Sequence, residues 1–105
     1  ELISFHKGPT SYHKEDLVQW TSTSTKKYLT TVITALTTVP QFTAHACAEV
    51  IKNSAKELNI KLVSIAQPIR IALLGKGAGP GIFELLEILG KDESLKRLKK
   101  LNEQL

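Results

Sequence analysis

Apolar residues recur along this chain at helical spacing, and each recurrence is cut short by a proline, an asparagine or a glycine. Leu29, Val32, Ile33 and Leu36 sit at i, i+3, i+4 and i+7, one face of a helix, and Pro40 closes the segment. Cys47, Val50, Ile51, Ser54, Ala55 and Leu58 form a second apolar or small face. Thr43 stands at the N-cap position ahead of it and Asn59 at the stop. Leu62, Ile65, Ala66, Ile69 and Leu73 make a third stripe, ended by Gly75, with Pro68 either in its first turn or kinking it. Pro80 suits the first position of a fourth helix, in which Ile82, Leu85, Leu86 and Leu89 repeat until Gly90. A last helix starts at Asp92 or Ser94. Leu95, Leu98, Leu101 and Leu105 line one side, and Lys96, Arg97, Lys99 and Lys100 occupy the others. No segment sustains the period-two alternation of a half-buried strand. The pattern predicts an all-α domain of five or six short helices.

Two stretches resist that reading. Residues 21–38 hold eight threonines and two serines, a composition that by propensity favours strand or loop. The helical spacing of the apolar residues outweighs it, so a loop is expected at Thr21–Ser24 and a helix from there to about Thr38. Residues 1–13 have no period. Leu2, Ile3 and Phe5 form an extended stretch in need of a cover, and Gly8-Pro9 marks a turn. Lys14 to Trp20 is a candidate short helix, with Leu17 and Trp20 on one face. The uncovered N-terminal stretch and the absence of an initiator Met suggest a cut through a larger protein. The expected division is an extended segment over 1–13, continuing from an upstream domain, and a helical domain over 14–105.

Composition excludes several classes. At 105 residues the chain fits one domain, and 42% hydrophobic residues can build a modest core. A single cysteine rules out an internal disulfide framework and a Cys-rich zinc site. No apolar run approaches the roughly 20 residues of a membrane span. No secretory signal pattern precedes the domain, so the cytoplasm is the expected compartment. The net charge of +4 permits a polyanionic partner without demanding one.

No catalytic or metal-binding set is expected. His6, His13 and His45 are scattered without ligand spacing. Cys47 reads as a small core hydrophobe, and His45, two residues away on a helix, does not face it. Glu84 and Glu87 read as a solvated stripe rather than an acid–base pair. The Lys76-Gly-Ala-Gly-Pro-Gly stretch follows a helix and lacks the closing Gly-Lys-Ser/Thr of a P-loop. One cluster remains: Arg70, the glycine-rich turn with Lys76 and Gly79, and Pro80-Gly81-Ile82-Phe83. A guanidinium can hydrogen-bond a base edge or phosphate and stack on a base. Glycines let a nucleotide approach the backbone, and a helix start offers N–H groups and partial positive charge. Pro80 and Phe83 offer apolar platforms for unstacked bases. The competing reading is an ordinary helix–helix turn in a protein-interaction module, with Phe83 in the core and Arg70 paired to Glu84. A small enzyme is a third possibility.

The same cluster carries a family resemblance. Gln67-Pro68-Ile69-Arg70-Ile71-Ala72-Leu73-Leu74-Gly75, then Gly79-Pro80-Gly81-Ile82-Phe83-Glu84, then Leu89-Gly90-Lys91 and Leu95-Lys96-Arg97-Leu98 resemble, in order and spacing, the C-terminal end of bacterial glutamyl-tRNA synthetases. The resemblance implies the anticodon-binding domain of a class I aminoacyl-tRNA synthetase, an α-helical cage that receives the anticodon loop of tRNA(Glu). It implies that Arg70 contacts anticodon bases and that Pro80, Ile82 and Phe83 form an apolar wall beside them. Gly79 stands where many members carry Thr or Ser, which removes a hydroxyl contact. ATP and Mg²⁺ would serve an upstream catalytic domain of the same chain, which joins glutamate to tRNA. This domain itself would hold no cofactor and catalyse nothing. Neither a membrane nor DNA is an expected partner.

Overall fold

A computed structural model describes residues 12, 14–77 and 81–105. The extended segment expected over 1–13 therefore lies, Tyr12 apart, outside the described residues, as do His6, His13, Gly79 and Pro80. Five helices follow one another: α1 (Lys14–Trp20), α2 (Thr25–Thr37), α3 (Ala44–Leu58), α4 (Leu62–Leu74) and α5 (Ile82–Glu103). There is no strand among the described residues. Helix α5 is two helical arms joined at Gly90, whose backbone (φ 84°, ψ 168°) departs from helical geometry. The first arm stops at this glycine and the second restarts after it, as the sequence leads one to expect.

Helix α2 shows how a threonine-rich segment becomes helical. The hydroxyls of Thr30, Thr31 and Thr37 donate to the carbonyls of Lys26, Lys27 and Ile33, four residues earlier, at 2.8, 3.0 and 2.7 Å. Their hydrogen bonding is thereby satisfied within the helix rather than in competition with it. Leu29, Val32 and Leu36 are fully buried, and this burial overrides the propensity. At the N-terminus Thr25 Oγ1 accepts from the backbone of Ser22 at 2.8 Å.

Helix α3 starts at Thr43, whose side chain accepts the Ala46 N–H at 3.1 Å. It ends on Asn59 in the left-handed conformation (φ 58°, ψ 46°). The amides of Ile60 and Asn59 return to the carbonyls of Ala55 and Lys56, the paired bonds of a Schellman cap. Helix α4 runs through Pro68, its seventh residue. Proline is therefore interior and buried, and the Ser64 carbonyl receives no N–H from it. Gly75 (φ 87°) closes the helix, its amide bonded to Ile71 at 2.7 Å.

The core lies where α2, α3, α4 and α5 meet. Leu36, Ile51, Ile69, Leu86 and Leu98, from these four helices, are all fully buried. Helix α1 lies on α4 and contributes no buried residue. The last arm of α5 is rotated relative to the expected stripe. Ser94, Arg97, Leu98 and Leu101 face inwards, whereas Leu105 is 39% exposed. Arg97, expected on an outer face, is 3% exposed. Its Nη1 donates to the Leu73 carbonyl at 2.9 Å and its Nε to Glu93 at 2.8 Å. A guanidinium is buried here because a helix end and a carboxylate satisfy its donors.

Candidate nucleic-acid interface

The C-terminal end of α4, the turn after it and the start of α5 bring the described members of the candidate cluster to one corner. Arg70 sits on the penultimate turn of α4, partly buried. Its Nη1 donates to Gln67 Oε1, one helical turn back. Gln67 also donates through Nε2 to the Gly77 carbonyl at 3.0 Å, and the Gly77 N–H donates to Asp16 Oδ2 of α1 at 2.8 Å. Arg70, Gln67, Gly77 and Asp16 thus form a continuous hydrogen-bonded chain from the base-reading candidate to the turn and to the first helix. Lys76 is exposed beside it.

The start of α5 departs from expectation. The helix begins at Ile82 with Gly81 as its extended N-cap (φ −61°, ψ 142°), two residues beyond the proline expected to open it. The Glu84 carboxylate folds back over Gly81, where an added Cβ would run into Glu84 Oε1. This helix start carries a carboxylate of its own, as suits the positive end of a helix. Ile82 is only 3% exposed and belongs to the core, so a direct base contact by its side chain gives way to packing. Of the expected apolar wall, Pro80 lies outside the described residues, and Phe83 is a half-buried aromatic against the core. Gly81 is exposed.

Other candidates fall where their residue types suggested. Cys47 is fully buried, and burial, with the Glu87 charge second, raises its thiol to about 11. His45 is exposed, 3.7 Å from Glu49 on the next turn. Glu84 and Glu87 are both exposed. Glu87 has a task that spacing did not show: its Oε1 accepts the Ala44 N–H at 2.8 Å, capping α3 from another helix. No group of three metal-ligating side chains occurs among the described residues. A cleft of about 250 Å³ lined by Trp20, Tyr28, Thr25 and Ser64, among others, is separate from the cluster and contains none of its residues.

Sequence reasoning missed Asp16, which lies 61 residues from its partner Gly77 and belongs to no motif. Glu84, read from the sequence as part of a solvated stripe, lies three residues after Gly81, the spacing at which a carboxylate folds back over a helix start, but this shows only once the helix is seen to open at Ile82. Gln67 stands within the quoted motif, but its two-sided role depends on where the turn returns.

An all-helical frame, among the described residues, with arginine and lysine beside a pinned glycine turn defines the class: a small helical domain. The sequence pattern of the anticodon binding domain matches residues 1–102. A glutamate–tRNA ligase from Anaeromyxobacter sp. (strain K) is 33% identical over 98 residues, covering 93% of this chain and 21% of that protein. One from Bradyrhizobium sp. (strain ORS 278) is 46% identical over 65 residues, covering 62% and 14%. The crystal structure of a glutamate tRNA ligase from Elizabethkingia meningosepticum in complex with its amino acid superposes with a TM-score of 0.88. Its identity is 26%, over 92% of this chain and 19% of that one. The chain belongs to the anticodon binding domain family. It spans between 14% and 21% of the length of these three relatives.

Proposed function

We propose that this domain, over residues 14–105, receives the anticodon loop of tRNA(Glu) on behalf of a glutamate–tRNA ligase in the cytoplasm. An upstream catalytic domain of the same chain would use ATP and Mg²⁺ to join glutamate to the tRNA. Residues 14–105 contribute binding alone. Arg70 reads a base through its planar fork or by stacking, which a point charge cannot do. Lys76 draws in the phosphate backbone. Phe83 offers an aromatic surface, and the backbone of Gly79, Pro80 and Gly81 lets a nucleotide approach closely. Ile82 supports this wall from the core side. The observation that carries the reading is Arg70, half-buried and tied through Gln67 to the turn. A guanidinium oriented in this way has lost freedom before it meets RNA. Among the described residues no helix is long and apolar enough to cross a membrane.

The test is an NMR titration of the isotopically labelled chain with the anticodon stem-loop of tRNA(Glu), and with the same stem-loop carrying altered anticodon bases. Shifts should concentrate at Arg70, Lys76, Gly77, Gly81 and Phe83 and be stronger for the unaltered loop. A response absent from these residues, or equal for both RNAs, would refute anticodon reading and return the protein-interaction module to the front.

A further inference from the structure

The glycine turn is expected, from composition, to be a place where backbone N–H groups meet phosphate. Its geometry argues for something narrower. Both backbone polar groups of Gly77 are occupied: the N–H by Asp16 Oδ2 at 2.8 Å and the carbonyl by Gln67 Nε2 at 3.0 Å. A Cβ built on Gly77 would meet Asp16 Cγ and Gln67 Nε2 at 3.4 Å each, so the turn is clasped from two sides. The Glu84 carboxylate lies over Gly81 at the other end of the same connection. Anion sites of this kind need free N–H groups in a positive field. At Gly77 a carboxylate takes the N–H and adds negative charge.

Helix α1 makes the same point from the other side. It has seven residues and buries none of them completely, and a helix of that length does not hold itself together in water. It lies on α4, with Asp16 reaching the turn. Leu17 and Trp20 pack, partly buried, against the core, and Asp16 adds a polar contact that ties this helix to the connection following Arg70.

Building on the proposed anticodon reading, we infer that Asp16 is a positioning residue that, through Gly77 and Gln67, sets Arg70 to read bases rather than to hold phosphate. It fixes Gly77. Gly77 fixes Gln67, and Gln67 orients Arg70. Its charge disfavours a phosphate against the Gly77 N–H, so an uncharged base edge or face is the ligand group that fits beside Arg70, while Lys76 meets the phosphate backbone from its exposed side.

Asp16→Asn and Asp16→Ala separate the two parts of the inference. Asparagine keeps an acceptor oxygen for the Gly77 N–H and removes the charge, whereas alanine removes both. The chain and both variants are titrated with the tRNA(Glu) anticodon stem-loop and the anticodon-altered stem-loop at low and high salt. Thermal melts and the Gly77 amide resonance are recorded for each. The alanine variant should move the Gly77 amide and lower the preference for the unaltered anticodon about three- to tenfold, the scale of one lost hydrogen bond. The asparagine variant should hold the Gly77 amide near its place and keep the preference. It should bind both RNAs more tightly at low salt, a gain that fades as salt rises. If the wild-type chain discriminates but neither variant changes the preference or the salt dependence, the role of Asp16 is refuted while anticodon reading stands. If alanine weakens both RNAs equally and asparagine restores neither, Asp16 is structural and the inference fails. A wild-type chain without preference overturns the parent reading and this inference with it.

Discussion

Arg70 is half-buried with one donor on Gln67, the arrangement expected of a side chain that binds through its shape as well as its charge. Arg70→Ala should weaken binding of the tRNA(Glu) anticodon stem-loop by about 1–3 kcal/mol, the range of a good base contact, and reduce the preference over an altered anticodon. Arg70→Lys should recover part of the affinity and little of the preference. Isothermal titration with both RNAs measures this, and equal losses for both would make Arg70 a phosphate contact. Cys47 is the opposite kind of residue, buried and without a partner task. Cys47→Ala should cost about 1 kcal/mol in denaturant unfolding and leave RNA binding unchanged. Its thiol is raised from 9.0 to about 11 in the fold, first by burial and then by Glu87. An acid with a raised folded pKa stays neutral in the native state while the unfolded chain ionises. Its share of stability is therefore complete below pH 9 and lost as the pH climbs towards 11. Unfolding of wild type and the Cys47→Ala variant across that window should show the wild type losing its advantage. A difference independent of pH would remove the burial account.

Among the elements, α5 departs most from a simple helix. Gly90 takes φ 84° and ψ 168°, a region that side chains with a Cβ hardly enter, and an added Cβ would meet nothing within 4 Å. Any penalty for Gly90→Ala is therefore backbone strain without collision. It should destabilise by about 1–3 kcal/mol in urea unfolding while the helical circular dichroism signal stays near wild type. A neutral substitution would mean that the two arms do not depend on this conformation. The elements were readable to different degrees. The faces of α2 and α3 could be read residue by residue, because apolar spacing and caps are local properties of the chain. The start of α5 could not: Pro80 suits a first helical position, but the helix opens at Ile82 with Gly81 as cap. Local preference for a helix start allows more than one solution, and packing of Ile82 and Leu85 into the core selects among them.

At the scale of the whole molecule, Arg97 ties the last arm of α5 to the end of α4. Its bonds to the Leu73 carbonyl and Glu93 are made at 3% exposure. Arg97→Met should lower stability by about 3 kcal/mol in urea unfolding, because a helix-end carbonyl and a partly buried carboxylate lose their shared donor. It should also perturb the amides of Leu73 to Gly77, which an effect confined to the last arm would leave in place. Arg97→Lys should restore only part of the loss, since one ammonium does not reproduce two directed donors. Little or no loss for methionine would show that the apolar stem of Arg97, not its guanidinium, matters here.

By itself the sequence determined the all-helical class, the faces of α2 and α3, part of the face of α4, the stops at Asn59, Gly75 and Gly90, and the corner that holds Arg70. These follow from spacing and from backbone preferences that act over a few residues. It also carried the family, since three motifs agree in order over residues 67–98. Tertiary structure alone decided that Arg97 turns inwards, that Glu87 caps a helix 43 residues away and that Asp16 holds Gly77 across 61 residues. Spacing says which residues share a face. Which neighbour that face meets, and which polar group then needs a partner, is settled only when distant segments exclude water together.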